Sequence, residues 1–307
     1  MSNEFDRKIW LNGNIISVCD AKINVLSPTC QFGANVFEGI RCYWNDNHKQ
    51  LYAFKLKEHY KRLRNSIKMM RFEEKYTVNQ MEEGLIEIVK ANDYKEDIAV
   101  RQTVYLDGFG SWNSFGPIGM CINPIPKKRS YDEGKKGIHC CISSWERIND
   151  ASLSPRIKVG ANYINSRLAQ LEAMRNGYDS SILLNNYGKV SEAPGSCIFI
   201  VRDRQLITPP ITASILESIT RATIIEIAEK EFNLKVSERE VERTELYIAD
   251  EIFLCGTAME IVSVLSVDKL EINQGNPGIT TTKLRNKYFE IVRGTNRRYI
   301  NWLTPIY

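Results

Sequence analysis

The sequence is 307 residues long, which exceeds what one small hydrophobic core needs and suits two domains or one large domain. Hydrophobic residues make up 43% of it and charged residues 25%, as in an ordinary globular protein. The net charge is only +4, and the densest basic run, Lys127–Arg129, is followed closely by Asp132 and Glu133. A nucleic-acid partner is therefore not expected, because such proteins usually carry a larger one-sided basic patch.

Targeting signals and metal motifs are missing from the sequence. No apolar stretch has the length of a membrane span, and residues 1–8 lack the apolar segment of a secretion signal. The eight cysteines include no C-x-x-C pair, and the three histidines have no ligand-like spacing. We therefore expect a cytoplasmic protein with reduced, mostly buried thiols, no metal site and no membrane partner.

The first part of the chain alternates between strand and helix patterns. Residues 9–18 predict a β-hairpin, since the Asn-Gly pair at its centre supplies the positive φ angles of a type I′ turn. Apolar residues at helical spacing predict helices over 56–70 and 77–91, and a run rich in β-branched residues predicts a strand over 98–106. This part is expected to form an α+β domain.

The composition changes over residues 123–136, where two prolines and a charged, glycine-containing segment show no apolar period. We predict an interdomain linker at 129–136, between a smaller α+β domain at 1–128 and a larger C-terminal domain at 137–307. The larger domain should combine a sheet with helices. Its strand-like runs are 138–143, 180–184, 189–192, 196–201, 205–208 and 250–255, and its helical patterns are 163–177, 218–232 and 278–293.

Four segments carry residue types suited to an anionic ligand that reacts with an amine. Lys158 stands at the entry to a helical run, and Glu192 ends a strand-like run. Ser218 is a candidate N-cap of the helix 218–232, where backbone N–H groups bind phosphate well. The small residues Gly256–Ala258 let backbone amides approach an anion. Each segment taken alone is more often a solvated lysine, a solvated carboxylate, an ordinary cap or a plain turn.

The order and spacing of these segments resemble those of the branched-chain amino-acid aminotransferase family (class IV, fold-type IV pyridoxal-phosphate enzymes). The resemblance runs from about residue 9 to 293 and implies a two-domain mixed α/β (α+β) fold, pyridoxal 5′-phosphate as cofactor, and a homodimer or higher homo-oligomer. The matching motifs are Trp10–Gly13, Val36–Tyr43, Lys158–Tyr163, Ser191–Glu192, Thr208–Pro210, Leu216–Arg221 and Glu251–Ala258.

The resemblance also implies a role for each matching residue. Lys158 would form the Schiff base and move a proton between the substrate Cα and the cofactor, while Glu192 would pair with the pyridine nitrogen. Tyr163 would donate to the cofactor's phenolic oxygen, and Arg62, unless it is an exposed helix arginine, would clamp the phosphate with two donors. The other implied cofactor ligands are Leu216, Ser218, Ile219, Thr220, Gly256 and Thr257, and the implied substrate-binding residues are Phe37, Gly39, Arg41, Arg101, Thr257 and Ala258.

Four departures from the family pattern fall mainly on the substrate side. Phe32 and Ala99 stand where the family commonly has tyrosines, Ser218 replaces a glycine, and Pro126–Tyr131 replaces an aromatic, glycine-containing segment. Lost hydroxyls and a changed shape should alter discrimination between substrates. The three cations of Lys127–Arg129 could favour an acidic or larger substrate, or could equally point into water. One hypothesis is therefore an amino donor other than leucine, isoleucine and valine.

The expected reaction is transfer of an amino group from an L-amino acid to a 2-oxo acid such as 2-oxoglutarate, by a ping-pong mechanism in amino-acid biosynthesis. A D-amino-acid transaminase or an aminodeoxychorismate lyase of the same fold is the first alternative, and the segment Val36–Arg41 argues against both. The second alternative is a non-catalytic binding protein, which predicts loss of Lys158 or Glu192. Both residues are present.

Overall fold

The computed structural model describes residues 7–130 and 136–307. The predictions for the N-terminal stretch 1–8 and the linker 129–136 thus lie mostly outside the described residues. Backbone contacts divide the chain into two compact units. The first contains the residues up to Lys128 together with Ile157–Ala161 and Ile291–Tyr307, and the second contains Arg129–Arg156 and Asn162–Glu290.

The first unit is built on a seven-stranded antiparallel sheet with helices packed on it. Its strands are β1 (Lys8–Leu11), β2 (Asn14–Ser17), β3 (Asn35–Asn45), β4 (Gln50–Phe54), β5 (Ile98–Leu106), β6 (Ile118–Pro126) and β15 (Leu303–Pro305), in the sheet order β15-β4-β3-β5-β6-β1-β2. Its helices are α1 (Pro28–Phe32), α2 (Leu56–Met69) and α3 (Val78–Asn92), with short 3₁₀ turns at Val18–Asp20 and Arg297–Trp302.

Helices α2 and α3 form because their apolar residues repeat at helical spacing and their ends carry suitable residues. In α2, Leu56, Tyr60, Leu63 and Ile67 are buried and pack in one core cluster with residues of the sheet. The helix α3 begins with a capping box, in which the Thr77 side chain accepts from the Gln80 N–H and the Gln80 side chain accepts from the Thr77 N–H. The core of this unit therefore lies between the sheet and these two helices.

The second unit has a larger mixed sheet. Its strands are β7 (Ile138–Glu146), β8 (Ser180–Leu184), β9 (Cys197–Arg202), β10 (Gln205–Thr208), β11 (Val236–Glu238), β12 (Glu251–Gly256), β13 (Glu260–Val267) and β14 (Leu270–Glu271). They follow the order β11-β10-β9-β12-β13-β7-β8, and β14 pairs with β13. Its helices are α4 (Asn162–Arg175), α5 (Ile219–Phe232) and α6 (Ile279–Val292), with 3₁₀ turns at Ile211–Ala213, Arg243–Ile248 and Asn273–Gly275.

The central strands of this second sheet are buried along their whole length, as expected where helices or loops cover both faces. All residues of β12 and β13 are buried, and the ring centroids of Phe199 and Phe253 stack 5.0 Å apart. Among the described residues, no helix is long and apolar enough to cross a membrane.

The mixed α and β class predicted from the sequence is confirmed, and so are most of the predicted elements. The hairpin at 9–18 forms with positive φ at Asn12 and Gly13. All five long helices begin and end within two residues of their predicted bounds. The run 189–192 was wrongly predicted as a strand, since it forms only isolated bridges, from Lys189 to Glu242 and from Val190 to Leu184.

The prediction of irregular structure from residue 123 onward was also wrong at its start. Residues 123–126 complete strand β6, where Pro124 and Pro126 lie opposite Val100 and Ile98. On its other side β6 pairs with β1 only at Cys121 and Ile122, so its last residues form a sheet edge. Proline has no backbone N–H group and so leaves no unpaired donor at a sheet edge. This explains why two prolines occur in the last part of β6.

The predicted division into 1–128, 129–136 and 137–307 followed chain order, whereas two later segments group with the first unit. Val159 forms an antiparallel bridge with Val36 of β3, and strand β15 pairs with β4. Both segments are joined to the first sheet by backbone pairing, which local sequence patterns do not reveal.

The Glu251 carboxylate caps helix α6 and lies so close to Gly278 that only a glycine fits at this position. The Glu251 carboxylate accepts hydrogen bonds from Thr280 N at 2.9 Å and from Thr281 N and Oγ1, each at 2.8 Å. A β-carbon on Gly278 would lie 1.9 Å from Glu251 Cδ, so Gly278→Ala must displace the carboxylate and leave helix N–H groups without acceptors. We expect the free energy of unfolding to fall by about 2–3 kcal/mol, measured by urea denaturation.

Gly195→Ala is the matched control, because its β-carbon would meet no atom within 4 Å. Equal losses of stability in the two variants would contradict this account of Gly278.

Candidate active site

The Lys158 segment is held against the first half of strand β3 by its backbone. Phe37 N donates to Lys158 O at 3.0 Å, and Gly160 N donates to Asn35 O at 3.0 Å. This edge is available because β4 pairs only with the second half of β3, from Cys42 to Asn45. From helix α2, the buried Ser66 Oγ accepts from Lys158 N at 3.1 Å. The position of the lysine is therefore fixed by three main-chain contacts.

One face of β3 and β5 carries the predicted substrate residues of the first unit. Side chains alternate along a strand, so Phe37, Gly39 and Arg41 share a face, and Gly39 lies opposite Arg101 of β5. Lys158 Nζ lies 4.9 Å and the Arg101 guanidinium carbon 3.6 Å from the centroid of the Phe37 ring. The structure thus places one buried aromatic ring beside both the amine and a cation.

The neighbouring residue on β3, Glu38, faces helix α2 and makes a buried charge cluster. Its Oε1 accepts from Arg62 Nε and its Oε2 from Arg62 Nη2, both at 2.7 Å, and His59 Nδ1 lies 2.7 Å from Oε2. Burial raises the pKa of Glu38, but the charge and hydrogen bonds of Arg62, with the hydrogen bond of His59, outweigh it and lower the pKa to about 2. Burial lowers the pKa of His59 despite the opposing effect of Glu38. Glu38 is therefore ionised and His59 neutral at pH 7.

Arg41 holds the backbone of the segment that follows strand β6. Its side chain is 1% exposed, and its Nη1 and Nη2 donate to the carbonyl oxygens of Lys127 and Lys128 at 2.7 and 3.4 Å. These contacts suit a residue that positions a neighbouring segment. Direct binding of a substrate by Arg41 stays a prediction.

In the second unit, the Glu192 carboxylate is buried and held from two sides. Glu192 Oε1 lies 2.7 Å from Arg147 Nη2, and Oε2 accepts from Leu216 N at 3.2 Å. The main chain of the Glu192 segment is fixed in turn, since Leu183 N donates to Glu192 O at 2.9 Å. A carboxylate oxygen can accept two hydrogen bonds, so this arrangement leaves capacity for a further N–H donor.

Helix α5 begins at a site suited to a phosphate. Ser218 caps it by accepting from Arg221 N at 3.2 Å, and the Arg221 side chain is buried, with its guanidinium bound to Thr208 Oγ1, Pro209 O and Glu238. The first N–H groups of a helix, here those of Ile219 and Thr220, have no acceptor within the helix. They are the donors that an anion would use.

The turn from Gly256 to Ala258 joins β12 to β13 and is the third predicted anion-binding element. A β-carbon on Gly256 would lie 3.2 Å from Gly195 O, so a glycine permits close approach of the two backbones. Ser130 N donates to Glu260 Oε2 at 2.9 Å, and Ser130 Oγ donates to Ala258 O. The start of the second unit is thereby attached to this turn.

The residues of each unit fit the implied cofactor. Taken separately, the first unit contains an amine and a guanidinium, and the second contains a buried carboxylate and an open helix N-terminus. Ser191 Oγ and Ser196 Oγ, close in sequence to Glu192, are buried without a hydrogen-bond partner among the described residues. Such orphaned polar atoms are uncommon in proteins and mark a place where a polar ligand can bind.

Sequence reasoning missed the partners of the predicted residues. Glu38, His59 and Arg147 were not singled out, although His59 stands one helical turn before Arg62 and thus on the same face of α2. That spacing was the only available signal for His59. Of the predicted residues, Glu192 and Leu216 lie together. Lys158 and Arg101 both lie beside Phe37. Tyr163 lies at the start of α4 and is 37% exposed.

Comparisons with known proteins agree on one family. Residues 35–267 match the model of the family described as amino-transferase class IV. The sequence is 38% identical to a probable branched-chain-amino-acid aminotransferase of Aquifex aeolicus, over 97% of this chain and 96% of that protein. Two similar crystal structures are branched-chain aminotransferases, from Thermoproteus uzoniensis with norvaline (38% identity, TM-score 0.93, 98% and 99% of the two chains) and from Thermobaculum terrenum in its PLP form (43%, 0.93, 99% and 100%).

The charge cluster of Glu38 predicts a pH-dependent stability difference. The pKa of Glu38 is lower in the folded chain, at about 2, than its usual 4.5, so its charge stabilises the fold fully above about pH 4.5 and loses this effect as the pH falls towards 2. We expect Glu38→Gln to lower the free energy of unfolding by about 3 kcal/mol at pH 7, and by about 1 kcal/mol less than that at pH 4. Urea denaturation at the two pH values measures the difference.

Glu74→Gln serves as the control, because it removes a pair with Arg64 whose side chains are both more than half exposed. A stability gap for Glu38→Gln that stays constant or widens on acidification would show that the charge of Glu38 does not stabilise the fold.

Proposed function

Because the chain belongs to the amino-transferase class IV family, we propose that it is a pyridoxal-phosphate-dependent aminotransferase of branched-chain L-amino acids. The family and the transaminase class predicted from the motifs are confirmed. The proposed reaction moves the amino group to 2-oxoglutarate or a similar 2-oxo acid in two half-reactions. The observation that carries the proposal is the placement of Lys158 by backbone hydrogen bonds beside Phe37.

Each element has a chemical task in this proposal. When bound, pyridoxal phosphate supplies an aldehyde for the amino group and a ring that withdraws electrons from the substrate Cα. Lys158 would hold the cofactor, and its amine would move the proton at the substrate Cα. Glu192 keeps the pyridine nitrogen protonated, with Arg147 fixing the carboxylate. Arg62 and the amides of Ile219 and Thr220 hold the phosphate.

The remaining assignments complete the proposed set. Tyr163 would donate to the cofactor's phenolic oxygen, and Leu216, Ser218, Gly256 and Thr257 are the other residues proposed to contact the cofactor. The amides of Thr257 and Ala258 receive the substrate carboxylate, while Phe37, Gly39, Arg41 and Arg101 are proposed to contact or shape the rest of the substrate.

Aliphatic amino acids are the proposed donors. The Phe37 ring is buried and apolar and lies 4.9 Å from Lys158 Nζ, which suits an unbranched or branched alkyl side chain near the reacting amine. The similar crystal structure from Thermoproteus uzoniensis contains norvaline, an aliphatic amino acid. Arg101, stacked on the same ring, supplies a cation for the acidic side chain of the glutamate formed from 2-oxoglutarate.

We expect a donor screen with 2-oxoglutarate to give leucine, isoleucine and valine kcat/KM values within about tenfold of the best donor. The D-enantiomers should be inactive, and their use would instead favour the D-amino-acid transaminase. A donor outside this group that exceeds all three by more than tenfold would replace the aliphatic assignment by the altered specificity that Phe32 and Ala99 suggested.

Lys158→Ala should remove the visible absorbance band of the lysine-bound cofactor and reduce kcat by at least about 100-fold. Lys269→Ala, at an exposed lysine between β13 and β14, is the control and should retain both. A Lys158→Ala protein that keeps the band after dialysis would show that another amine carries the cofactor.

We also propose that the chain forms a homodimer or a higher homo-oligomer. Ile164, Leu168, Leu171 and Met174 of helix α4 are all more than a third exposed, and a rotation of 100° per residue puts them on one face. The loop from β5 to β6 likewise exposes Phe109, Trp112 and Phe115. Contiguous exposed apolar residues of this kind are typical of protein interfaces. A second copy is the proposed partner because most oligomers of globular proteins are symmetric assemblies of one chain.

Replacing Ile164 and Leu171 together by glutamate should convert the oligomer to monomers, measured by sedimentation equilibrium. Leu270→Glu is the matched control, since Leu270 is 51% exposed on the short strand β14. A wild-type protein that sediments as a monomer would contradict the proposal.

A cytoplasmic location is proposed from the cysteines. All eight lie in the described part of the chain and none forms a disulfide there. Burial raises the pKa of Cys42 and Cys197 to about 12, which keeps these thiols protonated and unreactive.

A further inference from the structure

Helix α2 presents three side chains to strand β3 and the Lys158 segment. His59, Arg62 and Ser66 are three and four residues apart and therefore lie on one face of the helix. Ser66 contacts the main chain of Lys158, and the other two contact Glu38. One helical face thus sets the positions of a cation and of the candidate reactive lysine.

The three groups form a complete hydrogen-bonded unit. An ionised carboxylate only accepts hydrogen bonds, so His59 Nδ1 must carry the proton and donate it to Glu38 Oε2. Arg62 makes two parallel N–H···O bonds with the same carboxylate, the geometry that fixes a guanidinium plane most firmly. The side chains of Glu38 and His59 are at most 1% exposed, and that of Arg62 is 11% exposed. Only the arginine reaches the edge of the cluster.

The pairing matters for binding because a free arginine side chain has many conformers. Ordering such a side chain costs about 1.5–2 kcal/mol of conformational entropy, which a ligand must otherwise offset when it binds. A guanidinium that the protein has already fixed binds an anion without that cost. Glu38 and His59 are almost wholly buried, whereas Arg62 is partly exposed, so a ligand that reaches the cluster meets Arg62 first.

We propose that Glu38 and His59 are positioning residues that hold Arg62 ready for the phosphate of the cofactor. This inference rests on the proposed function, in which Arg62 binds that phosphate. Glu38 also neutralises Arg62 inside the protein, so Arg62 contributes directed N–H donors to the phosphate more than net positive charge. Retention of the phosphorylated cofactor should then depend on a carboxylate that never touches it.

The test compares two cofactors that differ only in the phosphate. Full-length protein is loaded with pyridoxal phosphate or with pyridoxal, and the release of each is followed by loss of the visible absorbance band. Glu38→Gln should accelerate release of pyridoxal phosphate by about 10- to 100-fold and change release of pyridoxal by less than about threefold. Arg62→Ala should give the same pattern with an equal or larger effect.

Glu74→Gln is the control, because it also removes the carboxylate partner of an arginine in α2, here the exposed Arg64. It should change neither release rate. His59→Gln keeps the Arg62 pair and should give a smaller acceleration for pyridoxal phosphate alone, which tests the proposal even if Glu38→Gln does not fold.

The outcomes separate this inference from the proposed function. Equal acceleration for both cofactors in Glu38→Gln, or none for either, overturns the positioning role while Arg62→Ala still reports on the phosphate contact. If Arg62→Ala itself releases both cofactors at the wild-type rates, the phosphate role of Arg62 in the proposed function fails, and this inference fails with it.

Discussion

The structure depends on backbone pairing between the Lys158 segment and the first half of strand β3. Phe37 N and Lys158 O, and Gly160 N and Asn35 O, form this pairing where strand β4 does not reach. These backbone hydrogen bonds fix the main chain of Lys158, although its side chain is long and flexible. The amine therefore emerges from a fixed main-chain position beside the Phe37 ring, and the chain reaches this position only after completing most of its first sheet.

Helix α2 connects the stability of that unit to its chemistry. Tyr60 and Leu63 are buried in the core, while Arg62 and Ser66, on another face, contact Glu38 and the Lys158 segment. Packing of the apolar face fixes the axis of the helix, and that axis fixes where the polar face meets strand β3. A change in the core would thus displace the guanidinium and the lysine together.

Local patterns were sufficient for the long helices and the hairpin, and the order of the motifs was sufficient for the family. They failed where the structure of a segment, or the partner of a side chain, depends on residues far away in the sequence. The prolines of β6 suggested irregular structure, because nothing local shows that the last residues of this strand lie at a sheet edge. Glu38 and Arg147 were missed for the same reason, since each is defined by a partner that only the fold brings to it. Motif order predicted which residues carry the chemistry, and tertiary contacts show which residues hold them.

The contacts of Arg41 and of the basic run Lys127–Arg129 bear on the choice of substrate. Ala99 lies opposite Arg41 across β3 and β5, and a small residue there leaves room on the shared face for the Arg41 side chain. Arg41 binds the carbonyl groups of Lys127 and Lys128, whereas the side chains of Lys127–Arg129 are exposed, and the Arg129 guanidinium carbon lies 4.1 Å from the centroid of the Phe289 ring. The basic run is thus fixed by its backbone and solvated at its side chains, which weakens it as an argument for an acidic donor. Phe37 with Arg101 stacked on it offers an apolar surface beside one cation, and that combination suits the proposed alternation between aliphatic and acidic partners.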